Sequence, residues 1–296
     1  MNTTVSANNK ADYSIWSLCY AKTDEALDFF GGSGLMSNQG TTTIPMHFVL
    51  IRGGLPGEDH IYLVDCGFKG AIWFEQNAFA DWEDSASVLG KVGVKPEDIE
   101  AIFVTHMHFD HINQIEDFPN AQIYIQREEF NGWTMALNLP ARFKPGEVPW
   151  VYSSFDPDDM IALAKAEVAG RVTLLDGDTE VFAGITASLA SRTHTFGTCC
   201  WQVLTQNGPF IMTGDGVYWY ANIENMWPPG YGQGDSFNLL FLYDKLREAV
   251  GGDLRRIVPG HDMDIYVKNP SWVVGKNPIA EVNLAIGQKS PKPAGS

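Results

Sequence analysis

Residues 102–111, IFVTHMHFDH, place three histidines and an aspartate within one turn of chain: His106, His108, Asp110 and His111. An apolar run ends there and the polar groups follow at once. A loop leaving the end of a strand can aim several side chains at one point. Imidazole and carboxylate are the donors that suit zinc, iron and related divalent metals. His106 and His108, two apart, point together in an extended turn, and Asp110 and His111 serve a second point beside the first. With seven histidines in 296 residues, a chance match to this pattern arises on the order of 10⁻⁴ to 10⁻³ times per chain, so the segment reads as a metal loop.

Four donors in one loop do not complete two metal positions. Three further candidates stand where an apolar run meets a glycine-containing loop: His194 in SRTHTFG, Asp215 in FIMTGDG and His261 in IVPGHD. Taken singly, a polar residue at a strand end is more often a turn or cap. Taken with the first loop, the three repeat one placement, which is what a site along one edge of a sheet sandwich requires. The two remaining histidines, His47 and His60, lie within or beside strand-like runs and are assigned to structure.

The elements that must position these residues alternate along the chain. IPMHFVLI (44–51) and HIYLVDCG (60–67) read as paired strands joined by the turn GGLPGED. Residues 85–92 and 96–99 read as helical, AIFVTH (101–106) and AQIYIQ (121–126) as short strands, and a helix starts near Arg127. Asp156 as N-cap with Pro157 at the first helical position predicts a helix over 157–168. RVTLL, ITASLA, CCWQVL and PFIMTG are four more strands; a helix over 237–250 then precedes RRIVP, taken as the last strand. Strands separated by helices predict an α/β (α+β) domain, expected to occupy residues 1–286, with 287–296 as a flexible tail and the first eleven residues frayed.

Composition narrows the function. The net charge is −16, from 20 basic and 36 acidic residues, a balance that disfavours nucleic acid, whose partners carry a basic footprint. No apolar run reaches the ~18 residues of a membrane helix, and the polar start MNTTVSANNKADYS has no signal core, so no membrane and a cytoplasmic location are expected. The four cysteines, Cys19, Cys66, Cys199 and Cys200, form no CxxC pair; they are expected to be buried, with Cys199 and Cys200 on opposite faces of one strand.

THMHFDH followed by His194, Asp215 and His261 resembles the metallo-β-lactamase superfamily over residues 44–264. That resemblance implies an αββα sandwich with a two-metal site at one edge. It implies that His106, His108 and His194 hold one ion, that Asp110, His111 and His261 hold the other, and that Asp215 bridges them. It also implies that Asp65, in LVDCG, orients ligands from behind. Within the superfamily, the motif with PNAQIYIQREEF after it, Tyr218 three residues past Asp215, and the closing PGHDMD are similar to the quorum-quenching N-acyl-homoserine lactonases and pyridoxolactonase. Two features depart from that branch: Thr198 stands where it carries a second histidine (HxxGH), and neither the first forty residues nor 133–150 match it.

The cofactors so implied are two divalent ions, zinc first, with manganese, iron or cobalt accepted by the same donors. About 3.5–4 Å apart, they would hold a bridging water as hydroxide at neutral pH. The hydroxide would attack a lactone carbonyl, Tyr218 would donate to the oxyanion, and Asp110 would pass a proton to the leaving alkoxide. Phe109, Trp219, Tyr220, Met226, Trp227, Trp73 and Phe74 would wall an apolar pocket for a small-molecule substrate, and exposed aromatics would suit a homodimer.

Other hydrolases of this fold, acting on a cyclic amide, aryl ester or organophosphate, share the metal chemistry. A common zinc β-lactamase would carry Cys at position 215. A glyoxalase II would add a helical domain, and only 35 residues follow His261. A di-iron redox relative would carry Glu at 108, and a decayed binding module would have lost ligands.

Overall fold

The computed structural model describes residues 10–31, 40–69, 78–146, 149–229 and 232–293. In chain order its strands are β1 (Asp12–Ala26), β2 (Thr41–Gly54), β3 (His60–Val64), β4 (Ala101–Phe103), β5 (Gln122–Gln126), β6 (Val172–Leu175), β7 (Thr179–Phe182), β8 (Ile185–Ser191), β9 (Gly197–Thr205), β10 (Gly208–Gly214), β11 (Ile257–Pro259), β12 (Ser271–Val274) and β13 (Asn277–Asn283). They form two sheets, ordered β12-β13-β1-β2-β3-β4-β5-β6 and β11-β10-β9-β8-β7.

Period-2 alternation builds the layers. Phe48 and Leu50 of β2 pack outward with Val88, Leu89, Trp133 and Leu163 from the helices Ser85–Gly90, Arg127–Leu137 and Pro157–Val168. Val49 and Ile51 point the other way, into the inter-sheet core with Tyr62, Phe103, Trp201 and Met212. Ile211 and Cys200, on the far face of the smaller sheet, meet Leu239, Leu242 and Leu246 of the helix Ser236–Ala249. The result is the expected αββα sandwich. Cys199 and Cys200 take opposite faces as their spacing predicts, and burial pushes the Cys200 thiol up to about 12.

Asp156 caps the helix Pro157–Val168 through its side chain, accepting from Asp158 N at 3.0 Å. One expectation needs correction. RRIVP contributes β11 but is not the last strand, because β12 and β13 follow it as a hairpin. Ahead of the first strand read from the sequence, residue 12 begins a fifteen-residue strand, β1, which pairs with β2 on one side and β13 on the other. Its buried Ser14 and Ser17 hide the apolar alternation; Ser14 Oγ accepts from Ala285 N, and Ser17 Oγ bonds His47 Nδ1 and the Tyr266 hydroxyl.

β3, β4, β5 and β6 are mutually parallel, as are β10 and β11, so several carboxyl-terminal strand ends meet at one edge of the sandwich. Main-chain bonds fasten the two sheets there: Cys199 N donates to Thr105 O (2.7 Å), and the Trp201 indole donates to Val104 O (3.1 Å).

Candidate metal centre

Asp65 follows β3, the 106–111 loop follows β4, His194 sits in the β8–β9 turn, and Asp215 and His261 follow β10 and β11. The β4 strand ends at Phe103, so Val104 and Thr105 already belong to the loop. Phe109–Ile112 is a single helical turn with His108 at its N-cap. That turn swings Asp110 and His111 away from His106 and His108, giving two donor groups. The ligand atoms of His106, His108, His194 and Asp215 lie within 4.8 Å of one another; those of Asp110, His111 and His261 do likewise. Asp215 stands between the groups, Oδ2 3.4 Å from His194 Nε2 and Oδ1 3.0 Å from His261 Nε2. Gly260 makes room for it: a Cβ there would strike Asp215 Oδ1.

Four of the five imidazoles have one nitrogen anchored outward and the other facing the centre, which fixes the tautomer. Asp65 Oδ2 accepts from His111 Nδ1 (2.7 Å) and from the Thr105 hydroxyl (2.8 Å), and that hydroxyl in turn accepts from His106 Nδ1 (3.0 Å). Thr105 N donates to Asp65 Oδ1 as well. Asp65 therefore orients two of the candidate imidazoles at once, His111 directly and His106 through Thr105. It holds a left-handed conformation, φ 60°, that Asp tolerates better than most residues. His261 Nδ1 donates to Pro45 O and His108 Nε2 to Gln233 Oε1, both at 3.0 Å. That leaves His108 Nδ1 facing His194 Nε2 at 3.0 Å. The fifth imidazole, His194, has its Nδ1 3.5 Å from the Tyr218 hydroxyl.

All seven groups are buried. Burial drives His106 well below the usual imidazole range, His108 to about 4 and His194 to about 3, so these three present lone pairs. Burial also works to lower His111 and His261, but the carboxylates Asp110 and Asp215 outweigh it and raise both. The second group is thus a place that holds positive charge. The fit to a cation shows in the orphaned atoms: among the described residues, buried polar atoms without a hydrogen-bond partner include His106 Nε2, His111 Nε2 and Asp215 Oδ1. Each faces the centre. A buried polar atom left unpaired costs ~1–3 kcal/mol; a divalent ion bound by nitrogen and oxygen donors removes that cost at His106 Nε2, and gives His111 Nε2 and Asp215 Oδ1, which have only ion-pair contacts with each other and their neighbours, a shared partner.

Residues 46–261 match the metallo-β-lactamase superfamily. The chain belongs to that superfamily. An N-acyl homoserine lactonase from a Bacillus species is 27% identical over 179 residues, 60% of this chain and 62% of the relative. The match therefore spans less than two thirds of that curated relative. Among solved structures, a quorum-quenching N-acyl homoserine lactone lactonase is similar at TM-score 0.67 and 20% identity, covering 88% of this chain and 96% of its own. AidC, a dizinc quorum-quenching lactonase, is similar at TM-score 0.64 and 17% identity, covering 92% and 97%. At those identities the structures bear on the fold.

Every site residue read from the sequence lies in or against this centre. Tyr218 lies against it too, its ring stacked on His261 (centroids 5.5 Å apart) and edge-on to His194 (5.3 Å). His47 and His60 are structural as expected: His47 is buried between Ser17 and Pro259 O, and His60 pairs with Glu100 at the surface. The aromatic wall needs revision. Tyr220 is a core residue whose hydroxyl donates to Ile257 O (3.0 Å), while Trp219 is half-buried and stacked on Phe30 at 3.9 Å. Phe109 packs with Phe68 and Phe79; Met226 is exposed and Trp227 half-buried. Trp73 and Phe74 lie outside the described residues. Thr105, Gln233 and Glu129 were not foreseen. Thr105 heads the motif and could have been read as an anchor, whereas Gln233 lies in an unpatterned loop.

Proposed function

We propose that one domain, residues 1–286, is a two-metal hydrolase that opens the lactone ring of a small molecule of the N-acyl-homoserine-lactone type. The observation that carries this reading is the pair of buried donor groups with Asp215 between them and the Tyr218 hydroxyl beside His194. In the proposed site His106, His108, His194 and Asp215 hold one ion and Asp110, His111, His261 and Asp215 the other. Zinc fits these donors best, with manganese, iron or cobalt acceptable. Ions bound there supply Lewis acidity and water acidified to near neutral pKa.

The remaining work falls to the chain. The Tyr218 phenol, on the face of the site made by His194 and His261, donates to the oxygen that gains charge as the carbonyl is attacked. Asp110, at 7% exposure the most accessible of the seven donors, takes a proton from the attacking water as the water oxygen joins the acyl carbon and returns it to the alkoxide released when the ring C–O bond breaks. Phe109, backed by the buried Phe68, gives an apolar flank beside Asp110 suited to an acyl chain. The bulk acidity still speaks against nucleic acid, and among the described residues no helix is long and apolar enough to cross a membrane.

Two measurements test this. On a panel of N-acyl-homoserine lactones, other lactones, aryl esters, cyclic amides and organophosphates, a lactone is expected to give the highest kcat/KM. A better cyclic amide or phosphotriester would move the substrate to the other hydrolases of this fold. In Tyr218→Phe, kcat on that lactone should fall about 10²-fold with little change in KM, the loss typical of a single oxyanion donor. An unchanged kcat/KM removes Tyr218 from the mechanism.

A further inference from the structure

Glu129 has no exposed surface, yet it is a carboxylate on the first turn of the helix Arg127–Leu137, at the back of the metal centre. It meets four donors. Oε1 accepts from Met107 N (2.9 Å) and from the Trp133 indole (2.7 Å); Oε2 accepts from the Thr195 hydroxyl (2.8 Å) and from Gly197 N (2.7 Å). With every neighbour donating, there is no place for a carboxyl proton; burial raises the Glu129 pKa, and the four bonds oppose that rise. Burying a carboxylate is expensive, and the four bonds to this one come from neutral donors.

The four partners belong to one donor group. Met107 is the residue between His106 and His108. The Trp133 ring lies edge-on to the His108 imidazole at 5.9 Å. Thr195 and Gly197 follow His194 directly, and Thr198, which replaces the histidine of the related lactonases, closes the same turn by accepting from Thr195 N (3.0 Å). A Cβ on Gly197 would strike Glu129 N, so the turn is pressed against this helix start. The other group is held from elsewhere: the Tyr20 hydroxyl donates to Asp110 O (2.8 Å), Asp65 accepts from His111, and Pro45 O accepts from His261.

We infer that Glu129 is a positioning residue for one ion only, clamping the His106–His108 loop to the His194 turn so that three imidazoles converge. This rests on the two-ion reading above. Losing a buried partner that orients metal ligands typically costs 10–100-fold in affinity, and here the cost should fall on one ion of two.

The test is chelator-competition titration of zinc together with ¹¹³Cd NMR, which reports each ion by its donors, on wild type, Glu129→Gln and Thr195→Val. Wild type should take up two ions and give two cadmium resonances. Glu129→Gln should weaken one ion by 10–100-fold, shift or lose the resonance of the three-imidazole group, and leave the other ion within about twofold. Thr195→Val, which removes one of the four bonds, should weaken the same ion by up to about tenfold. If Glu129→Gln folds and binds both ions at wild-type affinity, or weakens both equally, the inference falls while the two-ion reading stands. If that variant does not fold, unchanged binding in Thr195→Val overturns the inference. A wild-type chain that takes up no cation sinks both.

Discussion

Stripping divalent cation from this protein will abolish hydrolysis and lower its melting midpoint, and two equivalents of zinc per chain will restore both. Five imidazoles and two carboxylates are buried around one centre, and the atoms that face inward have few partners except each other. Without a cation, His106 Nε2, His111 Nε2 and Asp215 Oδ1 lack hydrogen bonds, and the charge of the buried Asp110 and Asp215 is supported chiefly by His111 and His261. A cation offsets all of these terms at once, and only in the folded state, because the seven donors come from four separate strand ends. A ligand at a thousand times its Kd that binds only the folded chain stabilises it by ~4 kcal/mol, which for a chain of this size is a rise in Tm of roughly 10 °C. His106→Ala removes a donor held by the Thr105–Asp65 relay and should cost at least ~10³-fold in kcat/KM even in excess zinc. If elemental analysis finds no bound metal and His106→Ala hydrolyses the substrate at the wild-type rate, the metal scheme is wrong.

The centre could be read so far from the sequence because its donors are rare residue types at strand ends, four of them in one local run. Local spacing is what a sequence displays. β2 and β3 were visible for the same reason: their alternation is unbroken and their partner is the next strand. β1 was not, because Ser14, Ser17 and Asp24 interrupt the pattern and a register shift near Tyr20 breaks the period. The serines are tolerated inside because they bond groups far away in sequence, among them Ala285 N and the Tyr266 hydroxyl. β13 pairs with β1, and β12 pairs with β13, so missing one strand meant missing the two that build outward from it.

Glu129 fails differently. An acidic residue in the first turn of a helix has an ordinary explanation in the helix dipole, and nothing local marks it as facing inward. Its four partners lie 4 to 68 residues away, so its role is visible only in three dimensions. Gln233 is the same case in a loop, reaching His108 across 125 residues. Candidate donors are legible because their chemistry selects them; of their supports only Asp65, which stands in a recognisable LVDCG segment, is read from the sequence, because the others are chosen by where the fold puts them.

Asp110→Asn is expected to lower kcat by 10²–10⁴-fold on an alkyl lactone, the range of a lost general acid–base, with the amide occupying the carboxylate's volume. The carboxylate Oδ2 lies 3.3 Å from His111 Nε2 and 3.4 Å from His261 Nε2, and its main-chain oxygen is pinned by Tyr20, so the variant should keep its backbone. The substitution does two things: it weakens one cation's donor set, and it removes a proton carrier. Saturating zinc separates them, since a loss that comes only from affinity is recovered at high zinc and a loss of proton transfer is not. The leaving group separates them further. An alkoxide needs its proton as the ring opens, whereas a nitrophenolate departs without one. If Asp110 carries that proton, the wild-type to Asp110→Asn ratio in kcat should shrink by at least tenfold on passing from an alkyl lactone to a nitrophenyl ester, both at saturating zinc. An equal ratio for the two leaving groups would confine Asp110 to holding the ion beside His111 and His261, and the proton would have to come from solvent.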